Sequence, residues 1–217
     1  KGINQRLYWL ITRDNMKLIL SSCDFLNENS KKCILNNINK PLDKCKVLFI
    51  PNEPYLINNL DKYYKRLESD GFKKEKSYIL NENKIDEFQD LKIDLIYIGG
   101  GNTFYTLNKI KKNHFDKCII NYLKKGVIYI GGSCGAHIVT SNMEHVLSFD
   151  DNFVGIKDFD GLNLFKGIII PHYDKSRKSI YKKLLNDGKY KVYPLTNDGS
   201  IVVNNNIITI YDNEIKG

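Results

Sequence analysis

A short glycine-rich segment carries the residues best suited to nucleophilic chemistry. Residues 129–140 read YIGGSCGAHIVT, so Ser133 has a glycine two positions before it and another two positions after it. This Gly-x-Ser-x-Gly spacing, between an apolar run and a helical pattern, is typical of a nucleophile elbow, a sharp turn that exposes a serine at a strand end. Free N–H groups at the start of that helix would favour negative charge beside the serine. We therefore expect Ser133 to be a nucleophile; the alternatives are a tight structural turn and a phosphate-binding loop.

A serine hydroxyl needs a base to take its proton, and the sequence offers four histidines. His172 closely follows the apolar run 168–170, which places it on a loop at a strand end, where catalytic groups collect. His137 competes with it, since it lies four positions after the serine on the same helical face. We favour His172 because one turn of helix gives His137 an awkward reach to the hydroxyl. The two histidines expected at the surface are His114 and His145.

A second glycine-rich segment, residues 99–103 (GGGNT), follows the apolar run 95–98, and we call it the glycine loop. It lacks the lysine of a P-loop and the later glycine of a dinucleotide-binding fingerprint, so nucleotide binding is a weak interpretation. Exposed backbone here can instead donate N–H groups to a developing oxyanion, together with the N–H of Cys134. The alternative is a turn that merely begins a helix. Asn102 and Thr103 on this loop are candidate substrate-binding residues.

The elements that must position these groups alternate between β-rich and helical patterns. Helical periodicity marks residues 55–72 and 113–126, and the segments 201–203 and 207–211 resemble a hairpin around an Asn-rich turn. Because function collects at the carboxyl ends of parallel strands, the three polar turns should share one rim. The pattern predicts an α/β fold with a mostly parallel wound sheet and helices on both faces. The apolar runs predicted as buried strands are 18–20, 47–50, 78–80, 95–98, 127–130 and 168–170.

The composition is that of an ordinary folded protein, with 42% hydrophobic and 27% charged residues among 217. The net charge of +8 comes from scattered lysines, so we expect no nucleic-acid partner. Five cysteines without metal-site spacing predict free thiols, a cytoplasmic location and no metal. Residues 1–15 contain only a short apolar run, so we expect no membrane association. We interpret 1–15 as an N-terminal extension or a cloning remnant before a single domain of residues 16–217.

Three motifs, IGGGNTF, GGSCGAH and IPHYD, occur in this order after MKLILSS, and together they resemble the dipeptidase E and cyanophycinase family of serine peptidases. The likeness spans roughly residues 16–211. It implies a three-layer sandwich similar to the class I glutamine amidotransferase domain, which is flavodoxin-like. It also implies that Ser133 is the nucleophile, His172 the base, and the N–H groups of Gly100 and Cys134 the oxyanion hole. Cys134 departs from the family's usual alanine, a change that should be tolerated because only its N–H is needed.

The third member of the triad, an acid that orients the histidine, is less well defined. The resemblance allows an acid on the late LTNDGS turn, where we favour Asp198, or one shortly after the elbow, where Glu144 and Asp150 are the alternatives. The family's aspartyl dipeptidases hold a substrate carboxylate with an arginine, which Arg177 matches; otherwise Arg177 is a solvated residue at a helix start.

The sequence thus predicts a cytoplasmic serine peptidase that hydrolyses small peptides, with aspartyl dipeptides as one candidate class, through an acyl-enzyme on Ser133. We expect a monomer or homodimer that needs no metal or cofactor. Two alternatives stay open: a non-catalytic binding or regulatory relative of the family, and thiol chemistry at Cys134.

Overall fold

A mostly parallel sheet forms the centre of the protein, whose computed structural model describes residues 16–53 and 59–212. The strands are β1 (Lys17–Ser21), β2 (Val47–Phe49), β3 (Ser77–Ile79), β4 (Leu95–Ile98), β5 (Ile128–Gly132), β6 (Ile168–Ile170), β7 (Val192–Pro194), β8 (Ser200–Asn204) and β9 (Ile207–Tyr211). Seven of them form one sheet in the order β3-β2-β4-β5-β1-β8-β9. The first five strands of that order are parallel, and β8 runs antiparallel to both of its neighbours.

Helices cover both faces of this sheet. They are α1 (Glu28–Asn37), α2 (Leu60–Asp70), α3 (Thr103–Lys112), α4 (Phe115–Lys124), α5 (Cys134–Ile138) and α6 (Lys178–Asp187). Successive strand residues point to opposite faces, so Ile19 packs in one core with residues of α1 and α2, whereas Leu20 packs in a second core with residues of α3, α4 and α5. This arrangement confirms the predicted α/β fold, a mostly parallel sheet between two helical layers.

The β8–β9 hairpin forms where the sequence predicts it. Its turn is made by Asn205 and Asn206, whose φ angles are 50° and 67°. Asparagine tolerates this left-handed region better than most residues, and two such residues produce the turn that matches the twist of paired strands.

One predicted strand lies outside the main sheet, since β6 pairs in parallel with β7 in a separate two-stranded sheet. All three residues of β6 are buried, and burial alone does not reveal which strand is the partner. The predictions for residues 1–15 and for the first part of helix 55–72 fall on residues outside the described ranges. Within residues 16–53 and 59–212, no helix is long and apolar enough to cross a membrane.

Candidate active site

The hydroxyl of Ser133 is in hydrogen-bond contact with the ring of His172. The distance from Ser133 Oγ to His172 Nε2 is 3.1 Å. Ser133 lies between β5 and α5 with φ 46° and ψ −100°, a backbone conformation that non-glycine residues rarely adopt. Gly135 must lack a side chain because a Cβ there would overlap the carbonyl oxygen of Ile98. The segment Gly131–Gly135, which we call the elbow, is therefore a sharp and closely packed turn between β5 and α5.

The second ring nitrogen of His172 faces Asn197, not the acid favoured from the sequence. Nδ1 lies 2.7 Å from Asn197 Oδ1. Because an amide oxygen only accepts hydrogen bonds, Nδ1 carries the proton, and the Nε2 lone pair faces the Ser133 hydroxyl. Asp198 accepts a hydrogen bond from Asn27 Nδ2 at 2.7 Å, so its carboxylate is engaged elsewhere.

The glycine loop is held against the elbow by Asn52. The buried side chain of Asn52 donates to the carbonyl oxygens of Gly99 and Gly100, both at 2.7 Å. A Cβ on Gly100 would lie 3.9 Å from Ser133 Cβ. In the described part of the chain, neither the Gly100 N–H nor the Cys134 N–H is bonded to another backbone group. Sequence reasoning missed Asn52, although it closely follows the buried strand β2 at the same rim.

Comparisons with known proteins identify the family of this chain. The family model described as Peptidase family S51 matches residues 17–211. The chain belongs to peptidase family S51. It is 34% identical over 145 residues to an uncharacterized peptidase of Listeria monocytogenes serovar 1/2a, an alignment that covers 64% of this chain and 71% of the relative. It is also 34% identical over 80 residues to Peptidase E of Escherichia coli O1:K1, which covers 37% of this chain and 34% of that protein.

Two solved structures resemble this S51 family member. A candidate Peptidase E protein from Listeria monocytogenes EGD-e matches with a TM-score of 0.73 and 26% identity, covering 91% of this chain and 98% of the other. A peptidase from an acI-B1 Actinobacterium matches with a TM-score of 0.60 and 18% identity over 92% of this chain and 89% of the other. The second likeness supports the fold alone.

The Cys134 thiol is unsuited to nucleophilic chemistry in this S51 member. Its side chain is 1% exposed, and Sγ lies 3.4 Å from Thr106 Oγ1, to which it donates. Burial raises the pKa of Cys134 to about 12. Since the thiolate is the reactive form of cysteine, a buried thiol that stays protonated is inert.

In the described part of the chain, no hydrogen bond joins the competing histidine to Ser133 Oγ, which contacts His172. His137 is buried, and its ring centroid lies 5.2 Å from that of His145. Burial lowers the pKa of His137 well below its ordinary value. His145, which we expected at the surface, is buried as well, and its Nε2 lies 3.2 Å from the carbonyl oxygen of Ile169. It lies on a short 3-10 turn packed against β6, and no sequence periodicity marks that packing. His114 is exposed, as predicted.

Three of the predicted site residues, Asn102, Thr103 and Asp150, take part in hydrogen bonds at the start of α3. Asn102 Oδ1 caps α3 by accepting from the Tyr105 N–H at 2.9 Å, and its Nδ2 donates to a neighbouring backbone carbonyl. The Thr103 N–H donates to Asp150 Oδ2 at 2.8 Å, so Asp150 also closes this helix start. Glu144 is exposed on the turn after the elbow helix. Neither alternative acid is hydrogen-bonded to the histidine ring.

Arg177 is fixed beside the loop that follows β6. Its Cζ lies 3.8 Å from the ring centroid of Phe149, and Nη1 donates to the carbonyl oxygen of Pro171 at 2.7 Å. Within the described ranges no carboxylate lies close enough to form a salt bridge with it. Burial lowers the pKa of Arg177, and the charges of Asp174 and Asp150 oppose that shift. The guanidinium of Arg177 is therefore held in one orientation, and its remaining N–H groups can donate to another acceptor.

The segment Ser21–Asp24 at the end of β1 contacts several parts of the site, and sequence reasoning did not single it out. The Ser21 carbonyl accepts the Ser133 N–H at 2.9 Å, and Ser22 Oγ accepts the His172 N–H at 3.1 Å. Cys23 Sγ lies 3.8 Å from Nδ1 of the same histidine. Burial, together with nearby carboxylates, raises the pKa of Cys23, so its thiol stays protonated.

Proposed function

We propose that this chain is a serine peptidase that cleaves short peptides through an acyl-enzyme on Ser133. The observation that carries the proposal is the 3.1 Å contact between Ser133 Oγ and His172 Nε2 at the elbow. The histidine takes the hydroxyl proton as Oγ attacks the peptide carbonyl. The N–H groups of Gly100 and Cys134 hold the resulting oxyanion. The imidazolium then gives its proton to the leaving amine, and water releases the acyl group by the same route.

In this mechanism Asn197 orients the base in place of an acid. Its amide oxygen holds the Nδ1–H and so fixes the tautomer, as the asparagine does in Cys-His-Asn triads. A neutral amide stabilises the imidazolium less than a carboxylate would.

Arg177 is the proposed recognition group for an acidic substrate side chain. A guanidinium can bind a carboxylate through two parallel hydrogen bonds, and the stacking on Phe149 restricts its orientation before a substrate arrives. The name Peptidase E among the relatives supports peptides as substrates. The five free cysteines support the predicted cytoplasmic location.

Labelling with a fluorophosphonate probe tests the mechanism. We expect an adduct on Ser133 in the purified protein, located by mass spectrometry, and its loss in Ser133→Ala and His172→Ala. Ser176→Ala is the matched control, since Ser176 is an exposed serine on another turn. A folded protein that takes up no probe would overturn the proposal and favour the non-catalytic binding relative.

A further inference from the structure

An ion pair between a buried carboxylate and a partly exposed guanidinium lies directly behind the two loops of the site. Asp24 is 2% exposed, and its Oδ2 accepts a hydrogen bond from Arg66 Nη2 at 3.1 Å. Arg66 comes from α2 and also donates to the hydroxyl of Tyr97 on β4 at 2.9 Å. Removing two charges from water costs free energy that only close geometry offsets. A pair at this place therefore needs an explanation beyond general stability.

This ion pair accounts for two glycines that the motifs leave unexplained. The Gly-x-Ser-x-Gly pattern does not specify position 132, yet a Cβ on Gly132 would overlap Oδ2 of Asp24. A Cβ on Gly99 would lie 2.7 Å from Arg66 Nη2 and 3.0 Å from Asp24 Oδ2. The pair thus packs against the elbow and the glycine loop at once. It contacts the elbow at Gly132, which precedes the nucleophile, and the glycine loop at Gly99, which precedes the first proposed oxyanion donor.

The pair is also anchored to Ser21, the last residue of β1, which contacts the nucleophile. The Asp24 N–H donates to Ser21 Oγ at 3.0 Å, and the Ser21 carbonyl accepts the Ser133 N–H. Asp24 adopts φ 44°, a left-handed conformation that is uncommon outside glycine. This local geometry directs the carboxylate towards the two loops.

We propose that Asp24 and Arg66 are positioning residues that set the spacing between Ser133 and the N–H of Gly100. The inference rests on the proposed serine mechanism, and neither residue touches the substrate. Misplacement of reacting groups by about 1 Å can cost on the order of 100-fold in rate. The chain offers a matched control in Asp70, whose Oδ2 lies 3.8 Å from Arg66 Nε but which is not among the nearest neighbours of Gly99 or Gly132.

The test compares fluorophosphonate labelling of Ser133 in Asp24→Asn, Arg66→Met and Asp70→Asn across pH, below each variant's melting temperature. We expect the maximal labelling rate to fall about 30- to 100-fold in the first two variants, while the pH midpoint set by the base stays unchanged. Asp70→Asn should stay within about twofold of the wild type, because the pair with Asp24 persists.

The possible outcomes separate this inference from the proposed function. A labelled wild type with equally fast labelling of Asp24→Asn overturns the positioning role alone. If Asp24→Asn does not fold, Arg66→Lys decides, since it keeps the charge but loses the planar fork, and an unchanged rate would again overturn the inference. A wild type that takes up no probe overturns the mechanism and the positioning role together.

Discussion

Asn197 Oδ1 lies 2.7 Å from Nδ1 of His172, while the carboxylate of the adjacent Asp198 is bonded to Asn27 at the start of α1. In a Ser-His-Asp triad one carboxylate both orients the imidazole and stabilises its charged form. In this chain the group that contacts the imidazole is an amide, which adds no negative charge.

Substitutions at Asn197 should separate these two effects. We expect Asn197→Ala to lower the rate of Ser133 labelling by at least about 100-fold, because the ring loses the partner that fixes its tautomer. Asn197→Asp should keep the activity, and the acid limb of its pH profile should move to higher pH, because a carboxylate favours the protonated ring.

The neighbouring acid supplies the control for that experiment. Asp198→Asn should change the labelling rate little, since Asp198 faces Asn27. A loss in Asp198→Asn as large as that in Asn197→Ala would restore Asp198 as the orienting acid.

Alkylation distinguishes the two thiols of the site. We expect iodoacetamide to modify Cys23, which is partly exposed and 3.8 Å from the His172 ring, and to block Ser133 labelling by displacing that ring. The reaction should be slow at neutral pH and accelerate with rising pH, because the pKa of Cys23 is raised. Cys23→Ala should protect the protein, whereas protection only in Cys134→Ala would support thiol chemistry at Cys134.

Arg177 should determine substrate preference. In a screen of dipeptides with Asp, Glu, Arg or neutral first residues, we expect the acidic ones to be cleaved fastest. Arg177→Met should lower kcat/KM for them by about 10- to 100-fold, the value of a charge-assisted pair, and leave neutral dipeptides nearly unchanged. An equal loss for every substrate would assign Arg177 to the local structure, where it already contacts Phe149 and Pro171.

The buried His145 should make the protein sensitive to acid. Burial lowers the pKa of His145 to about 4 from 6.5, so between these values the unfolded state binds more protons. The free energy of unfolding should therefore fall as the pH drops through this window, by roughly 3 kcal/mol from this residue. His145→Gln keeps a donor for the Ile169 carbonyl. In this variant the free energy of unfolding, measured by urea titration at pH 7.5, 5.5 and 4.5, should depend less steeply on pH. An unchanged dependence of the free energy of unfolding on pH would contradict this assignment.

Asp70 should act in the opposite direction. Burial raises the pKa of Asp70 to about 6 from 3.8, so the folded state binds more protons in that window and loses stability as the pH rises. Asp70→Asn should raise the free energy of unfolding at pH 7.5 by up to about 3 kcal/mol, with the gain fading towards pH 4. Destabilisation at pH 7.5 would show that the charged form is favoured.

Local patterns were enough to predict the parallel sheet, the elbow around Ser133 and the rim position of His172. Each of these features depends on spacing within a few residues or on the end of a buried strand. The ion pair of Asp24 and Arg66 could not be predicted in this way. It joins the end of β1 to α2, and Arg66 lies on an amphipathic helix where an arginine is usually solvated.

The contact between Asn197 and His172 was also not predicted, since the candidates for that position were Asp198, Glu144 and Asp150. Asn197 and Asp198 lie on one turn. Asn27, at the start of α1, binds the carboxylate of Asp198 and so leaves Asn197 to contact the imidazole. The separate pairing of β6 with β7 was missed for a related reason, because a run of isoleucines does not indicate which strand pairs with it.

The site lies at the boundary between the two-stranded sheet and the main sheet. His172 and Asn197 follow β6 and β7, whereas Ser133 and Gly100 follow strands of the main sheet. The imidazole and its amide partner thus belong to one subassembly, and the hydroxyl with the proposed oxyanion donors belongs to another. Ser22 bridges the two through hydrogen bonds to the His172 N–H and the Leu195 carbonyl. A small slide of one subassembly past the other would change the separation of hydroxyl and imidazole while leaving the interior of each half intact.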